Sequence, residues 1–208
     1  MKHELVNTLN KQEATDALAD LGETFFDSQL EDGLLKDIPF LGTLIKLKNF
    51  GLSVSDYMLI KKVQKFVFTL DHVSKVERDK FFTKLEKNEK YKSKVNDNLL
   101  LLISASDDID KPEMLGLVFS SYVQGDLDYE QFMQFSTTVN ALNANQFKLL
   151  REQDEPLAPK EVGHTLASYG LVNIVIPTTF GSSVPDYYLN EVGAKFLKVL
   201  FGTEVNLV

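Results

Sequence analysis

Residues 38–70 read IPFLGTLIKLKNFGLSVSDYMLIKKVQKFVFTL, and this stretch is the most apolar and most regularly patterned part of the chain. Leu41, Leu44 and Ile45 recur at helical spacing before Gly51. After Gly51 a second stripe has the same spacing: Tyr57, Ile60, Val63, Gln64, Val67 and Leu70. Gly51 suits a helix C-terminus, where glycine adopts the left-handed conformation at little cost. The pattern predicts two helices that form an αα-hairpin in the core.

The same stretch leaves a membrane-active alternative open, in which residues 38–70 leave the core and insert into a bilayer. A membrane-spanning helix needs about 20 mostly apolar residues. Lys36, Asp37, Lys46 and Lys48 interrupt the apolar run before that length is reached. We therefore expect a buried hairpin and disfavour a membrane as partner.

The composition is that of an ordinary folded globular protein. The chain has 208 residues, of which 44% are hydrophobic and 25% charged. It contains no cysteine, so disulfides, thiolate metal sites and cysteine nucleophiles within it are excluded. The first 20 residues lack the basic and apolar regions of a secretory signal. We expect a cytoplasmic protein.

The net charge of −8 is unevenly distributed along the chain. Residues 46–94 carry 13 Lys and Arg against 6 Asp and Glu, and the segments on both sides are acidic. These charges either neutralise one another within the fold or form a basic face for nucleic acid. The candidates for a basic face are Lys61, Lys62, Lys65, Lys84 and Lys87. A DNA-binding regulator that uses residues 46–94 is therefore the first alternative function.

Helix-start signals predict a bundle of about seven helices in residues 1–150, beginning with an amphipathic helix over residues 6–30. Ser74 and Glu77 have the spacing of a capping box. Asp128 and Gln131 have the same spacing, which predicts the start of another helix with an acidic cap. The helix after Ser74 is expected to bury Val76, Phe81, Phe82 and Leu85.

Residues 151–159 read REQDEPLAP, an acidic segment with two prolines that predicts a linker. The residues beyond it, 160–208, are expected to form a separate α+β module. Its predicted order is a short helix from Lys160, a strand over 171–176, a turn, a strand over 186–189 and a last helix capped by Asn190. The fold class we predict is mainly α, with a helical bundle and a small α+β end.

This order, with the phrases LASYGLV (166–172) and YLNEVGAKF (188–196), resembles the second half of many bacterial winged-helix modules. The resemblance implies a reading helix, a two-stranded wing and a closing helix, and such modules usually bind DNA. Lys and Arg contacts to phosphates supply much of that affinity, yet residues 162–185 contain no charged residue. We therefore disfavour nucleic acid and favour a protein partner.

A second resemblance belongs to the opening stretch. The motif Ile38-Pro39-x-x-Gly42-Thr43-x-x-Lys46, with Asp56 and Lys61-Lys62 beyond it, resembles a widespread bacterial group of small helical proteins. That group is associated with abortive infection and phage defence. The resemblance implies no catalytic residue.

No catalytic, cofactor or metal site is predicted. The histidines His3, His72 and His164 do not share a helix face at metal-ligand spacing. A calcium loop aligned on Gly125 would have Gln131 where a bidentate Glu is required. The residues expected to contact a protein partner are Tyr169, Ile174, Ile176, Phe180, Tyr187 and Tyr188. The sequence thus predicts a non-enzymatic interaction or regulatory protein, with a membrane-active effector as the second alternative.

Overall fold

The computed structural model describes residues 54–177 and 184–207. Within these ranges the protein is mainly helical, with eight α-helices and one small antiparallel sheet. In chain order the elements are α1 (Val54–Phe68), a 3₁₀ turn (Thr69–His72), α2 (Lys75–Glu86), α3 (Glu89–Ala105), α4 (Lys111–Gln124), α5 (Tyr129–Ala141), α6 (Ala144–Arg151), β1 (Leu157–Ala158), α7 (Lys160–Ser168), β2 (Val172–Val175), β3 (Asp186–Leu189) and α8 (Glu191–Phe201). The predicted fold class, mainly α with a small α+β end, is confirmed. The predicted helices before residue 54 lie outside the described residues.

Three of the helices start at predicted local signals. The Ser74 hydroxyl accepts a hydrogen bond from the Glu77 amide at the start of α2, and the Glu77 carboxylate accepts one from the Ser74 amide. Asp128 and Gln131 form the same capping box at the start of α5. The Asn190 side chain caps α8 by accepting from the amide three residues ahead. These predicted starts are confirmed, because such caps join residues within one helical turn.

The centre of the helical part is the contact between α1 and α4. The buried side of α1 consists of Ile60, Val63, Phe66 and Val67, which confirms most of the second predicted stripe. Gly116 of α4 lies directly against this helix, because a Cβ atom there would be 2.7 Å from the main-chain oxygen of Phe66. A side chain at position 116 would therefore push the two helices apart.

Five aromatic rings from four helices fill the core beside this contact. Phe66 and Phe119 have ring centroids 5.5 Å apart, and Phe81 meets Phe119 edge to face at 5.9 Å. Tyr122 stacks on Phe132 at 5.0 Å. These spacings are those of favourable aromatic pairs, so the cluster ties α1, α2, α4 and α5 together.

The sheet is antiparallel, with strand order β1-β3-β2. Tyr188 lies opposite Leu157 of β1 and Asn173 of β2, and the preceding residue, Tyr187, lies opposite Ala158 and Ile174. Helices α7 and α8 pack against β3, and α7 also contacts β2. One face of the sheet is therefore covered by helices.

The prediction of a linker over residues 151–159 needs correction at its end. Leu157 and Ala158 form strand β1, Ala158 is buried, and the Pro156 carbonyl accepts a hydrogen bond from the Leu189 amide at 2.7 Å. The two flanking prolines hid this strand, because proline is expected at loops and edges. Helix α6 was not predicted, and it extends to Arg151, the first residue of the predicted linker.

The expectation that α2 buries Val76 is wrong, since this side chain is 77% exposed. Phe82 and Leu85 are buried as predicted. Val76 lies six residues before Phe82, which places it roughly 120° away around the helix axis. It therefore faces solvent.

Candidate protein-contact surface

Two backbone features direct β2 alongside β3. Gly170 has a φ of 71° and turns the chain out of α7, a conformation that glycine adopts without steric cost. The Leu171 amide donates to the Leu166 carbonyl at 2.9 Å, and the Asn190 side chain donates to the Gly170 carbonyl at 3.0 Å. Since Asn190 also caps α8, one residue links the start of β2 to the start of the last helix.

Beyond this turn the chain exposes three consecutive apolar side chains. Ile174 is 56% exposed and Ile176 is 71% exposed, and Val175 between them is also exposed. Leu157 on β1 and Tyr188 on β3 are exposed as well. We call these five residues the apolar sheet surface.

The strand register divides this surface into two parts. Tyr188 lies directly opposite Leu157 on one side and Asn173 on the other, so these side chains point to the same face of the sheet. Val175 is two residues from Asn173 and has the same phase, which means that it points to the same face. Leu157, Val175 and Tyr188 therefore lie on the outer face. Ile174 lies opposite Tyr187 and has the phase of the inner face, at the edge formed by β2. The apolar sheet surface therefore combines an outer face with a strand edge.

The surface is electrically neutral. Residues 162–185 contain no Asp, Glu, Lys or Arg. At its margin the Lys160 ammonium lies 3.6 Å from the Asp186 carboxylate, so these two charges face each other. Removing water from an unpaired charge is costly. A partner that covers this neutral surface does not incur that cost.

Three predicted contact residues, Ile174, Ile176 and Tyr188, belong to this surface, and Tyr187 does not. Tyr187 is only 2% exposed, and its hydroxyl is 3.1 Å from the Nε2 atom of His164. A Cβ atom on Gly163 would lie 2.2 Å from the Tyr187 ring. The prediction for Tyr187 is corrected: adjacent strand residues face opposite sides, so Tyr187 and Tyr188 cannot share the outer face.

The remaining predictions and the missed residues have local explanations. Tyr169 is half-buried, and its carbonyl accepts a hydrogen bond from the Gln134 side chain at 2.6 Å. Phe180 lies outside the described residues. Sequence reasoning missed Val175, although it is two residues from the polar Asn173 and therefore shares a strand face with it. Leu157 was missed because it was assigned to the linker.

Two of the basic-face candidates bind other parts of the fold. Lys62 donates to the carbonyls of Ser104 and Ser106, at 3.0 Å and 2.6 Å, and Lys65 forms an ion pair with Asp110. These two side chains hold α1 against the segment that joins α3 and α4. The other three candidates are exposed: Lys61, Lys84 and Lys87.

The membrane alternative depends on residues 38–70, of which 38–53 lie outside the described residues. None of the helices in the described ranges is both long enough and apolar enough to cross a membrane.

One cavity of about 480 Å³ lies between α4, α6 and α8. Among its lining residues, Lys111 is only 3% exposed, and its ammonium donates to the Asn140 carbonyl at 2.8 Å and lies 2.5 Å from the Asp107 carboxylate. Hydrogen bonding and charge attraction from Lys111 hold the pKa of Asp107 below its ordinary value. Lys111 therefore ties the segment after α3 to α4 and α5 at this cavity.

A second cavity, of about 460 Å³, is lined by three tyrosines from different helices. The hydroxyls of Tyr91 and Tyr122 are hydrogen-bonded to each other, and the Asn98 side chain donates to the Tyr129 hydroxyl at 2.6 Å. Burial, and then the bond to Tyr91, raises the pKa of Tyr122 well above its ordinary value. Tyr122 is therefore a buried hydrogen-bonding group of the core at this cavity.

The described ranges hold no group of three or more His, Asp or Glu side chains arranged to bind a metal ion. The fold and the surface define the class: a mainly helical protein with a small antiparallel sheet that exposes neutral, apolar side chains. No protein family, curated protein or solved structure matches the chain. Its function is therefore argued from the described residues themselves.

Proposed function

We propose that this chain is a non-enzymatic interaction or regulatory protein that binds a protein partner through the apolar sheet surface. The observation that carries the proposal is the run Ile174, Val175 and Ile176, exposed within the uncharged segment 162–185. Single exposed apolar residues are ordinary, but a contiguous exposed patch is typical of a binding site.

The chemistry of the patch favours protein over nucleic acid. The centres of protein interfaces are depleted of charged residues and enriched in aromatic ones, as here around Tyr188. A DNA-binding wing needs cations near the phosphates, and the nearby Lys160 is already opposite Asp186. The helix, strand pair and helix from α7 to α8 have the order of a winged-helix end, which we propose to serve protein contact.

The proposed setting is the bacterial cytoplasm, in a phage-defence or abortive-infection system. It rests on the resemblance of the motif at 38–46 and its continuation to Lys62. An exposed apolar surface fits a component that recognises or restrains another protein of such a system.

The test compares partner binding by the wild type, Tyr188→Lys and the control Leu101→Lys. Leu101 is also exposed and apolar but lies on α3, away from the sheet. Partners recovered with the tagged chain from its native cell are purified and titrated against each variant. We expect binding to Tyr188→Lys to be weaker by at least about tenfold, as for a tyrosine buried at the centre of an interface.

Binding to Leu101→Lys should equal that of the wild type. Equal affinity for all three chains would contradict the proposal. Salt-sensitive binding to duplex DNA by the wild type, with no protein bound through Tyr188, would instead favour the DNA-binding alternative.

A further inference from the structure

Strand β2 has one paired side and, within the described residues, one open side. Among the described strands its single neighbour is β3. The Leu171 carbonyl accepts a hydrogen bond from the Asn190 amide at 3.2 Å, so the Leu171 carbonyl is directed toward the β3 side. Backbone groups alternate sides along a strand, so those of Val172 and Ile174 are directed away from β3.

A second hydrogen bond leads to the same assignment. The Leu189 amide donates to the Pro156 carbonyl on the β1 side, at 2.7 Å, so the neighbouring Tyr188 directs its backbone groups toward β2. This agrees with the pairing of Tyr188 and Asn173. The open side of β2 therefore presents the amides and carbonyls of Val172 and Ile174, and Ile176 is the next residue of the same phase.

We propose that the open side of β2 pairs antiparallel with β2 of a second copy of this chain, around a two-fold axis at Ile174. Ile174 then lies opposite Ile174 of the second copy, and Val172 lies opposite Ile176. The sheets of the two copies become one six-stranded sheet. This inference rests on the proposed function, since it names a second copy as a partner for the edge part of the apolar sheet surface.

The side chains at this edge support the pairing. Val172 is buried, whereas Ile174 and Ile176, of the same phase, are largely exposed. Residues directly opposite in an antiparallel pair point to the same side of the sheet and contact each other. The two-fold axis therefore places the exposed Ile174 against Ile174 of the second copy and the exposed Ile176 against Val172 of the second copy.

Charge and chain geometry favour a second copy as the occupant. The chain carries a net charge of −8, so two copies repel each other over most approaches, but residues 162–185 are uncharged. Natural edge strands usually carry charged residues that prevent such pairing. Pro177 has the phase of the residues that face β3, so its missing amide hydrogen agrees with the pairing of β2 and β3 ending at Val175 and Asp186. The open-side residues Val172, Ile174 and Ile176 are placed symmetrically about Ile174.

Cysteine cross-linking tests the register directly, because the chain contains no cysteine of its own. In a hydrogen-bonded antiparallel pair the opposed Cα atoms are about 5.5 Å apart, which is within the range of a disulfide. Ile174→Cys should therefore form a disulfide-linked dimer under mild oxidation. Asn173→Cys and Val175→Cys are the matched controls, because each is two residues out of register with itself across the axis.

We expect the Ile174→Cys dimer to form several-fold faster than either control. Equal rates at the three positions, or no dimer at any, would overturn the proposal.

A second measurement uses sedimentation of the protein without cysteine. The wild type should show a concentration-dependent dimer, and Ile174→Pro should be monomeric. This substitution removes an amide on the open side of β2 and leaves the hydrogen bonds to β3 in place. Its far-ultraviolet circular dichroism should match that of the wild type, and a dimer that persists in this variant would overturn the proposal.

Tyr188→Lys separates this inference from the proposed function, because Tyr188 lies on the outer face and not on the edge. We expect this variant to remain dimeric while losing its other protein partner. A monomeric wild type that still binds a partner through Tyr188 would overturn the dimer and leave the proposed function standing. A dimer whose protein binding ignores Tyr188 would support the pairing of β2 and contradict the outer-face contact.

Discussion

The helical region from α1 to α6 and the small sheet differ in how they bury their apolar side chains. In α1 the side chains of Val63, Phe66 and Val67 lie on one stripe and are buried against α4 and the helices around it. In β2 the residues Ile174 and Val175 are exposed. An amphipathic helix has one apolar stripe to cover, whereas a strand has two faces and two edges, and α7 and α8 lie on one face only. The sheet therefore has apolar surface left for other molecules.

The largest effect should be the difference in stability between truncating a buried and an exposed apolar residue. Phe132 is completely buried and stacks on Tyr122, so Phe132→Ala should lower the free energy of unfolding by about 3–5 kcal/mol. Ile176→Ala should change it by less than about 0.5 kcal/mol. Urea denaturation of dilute protein measures both. Equal losses would mean that the two regions cover their apolar residues equally well, contrary to the comparison.

A smaller loss is expected where the sheet meets its covering helix. Gly163→Ala places a methyl group 2.2 Å from the Tyr187 ring, and overpacking of this kind costs about 2 kcal/mol. In a Tyr187→Leu background the same substitution should cost less, because the clashing ring is absent. Thermal denaturation of the four chains measures this coupling.

Gly125→Ala is the control for Gly163→Ala, since no atom of the described residues lies within 4 Å of its added Cβ and the positive φ of 89° disfavours it. Its cost should be the same with and without Tyr187→Leu. If the cost of Gly163→Ala were also the same in both backgrounds, the inner face would be less tightly packed than the distances indicate.

The smallest effect should be a pH dependence in the helical region. Lys111 lowers the pKa of Asp107 in the folded protein below its ordinary value of 3.8, so the ionised form is favoured by folding. This contribution is present above the unfolded pKa and is lost as the pH falls through the lower, folded pKa. Asp107→Asn should therefore be less stable than the wild type at neutral pH, and the difference should shrink in acid.

Chemical denaturation at a series of pH values measures that difference. Asp154→Asn, at an exposed position before β1, is the matched control for removing the charge of an exposed aspartate. A difference for Asp107→Asn that stays constant into strong acid would contradict the role of its carboxylate.

Much of the local fold was predictable from short-range chemistry. The capping box of Ser74 and Glu77 and the cap of Asn190 start helices at the predicted places, because each needs only neighbours along the chain. Strand β3 also has its predicted bounds, 186–189. Val76 shows the limit of prediction from short-range chemistry. The side of a weakly amphipathic helix that is buried depends on what packs against it, and in α2 the Val76 side chain faces solvent.

The candidate surface was predicted in part. Ile174, Ile176 and Tyr188 were named from their apolar character in an uncharged segment, and they are exposed. Tyr187 has the same character but the opposite phase, so it is buried beneath α7. Leu157 was missed, because a two-residue strand between prolines carries no periodic pattern to detect.

The sequence by itself determined where helices begin, which segments are apolar and that residues 162–185 carry no charge, since these depend on residue type and on near neighbours. Only the tertiary structure decided that β1 joins β3, that Tyr187 is enclosed and that, among the described strands, β2 is left with an open side. The reason is physical: a strand acquires its neighbours from distant parts of the chain, and the order of the strands determines which backbone amides and carbonyls remain unpaired.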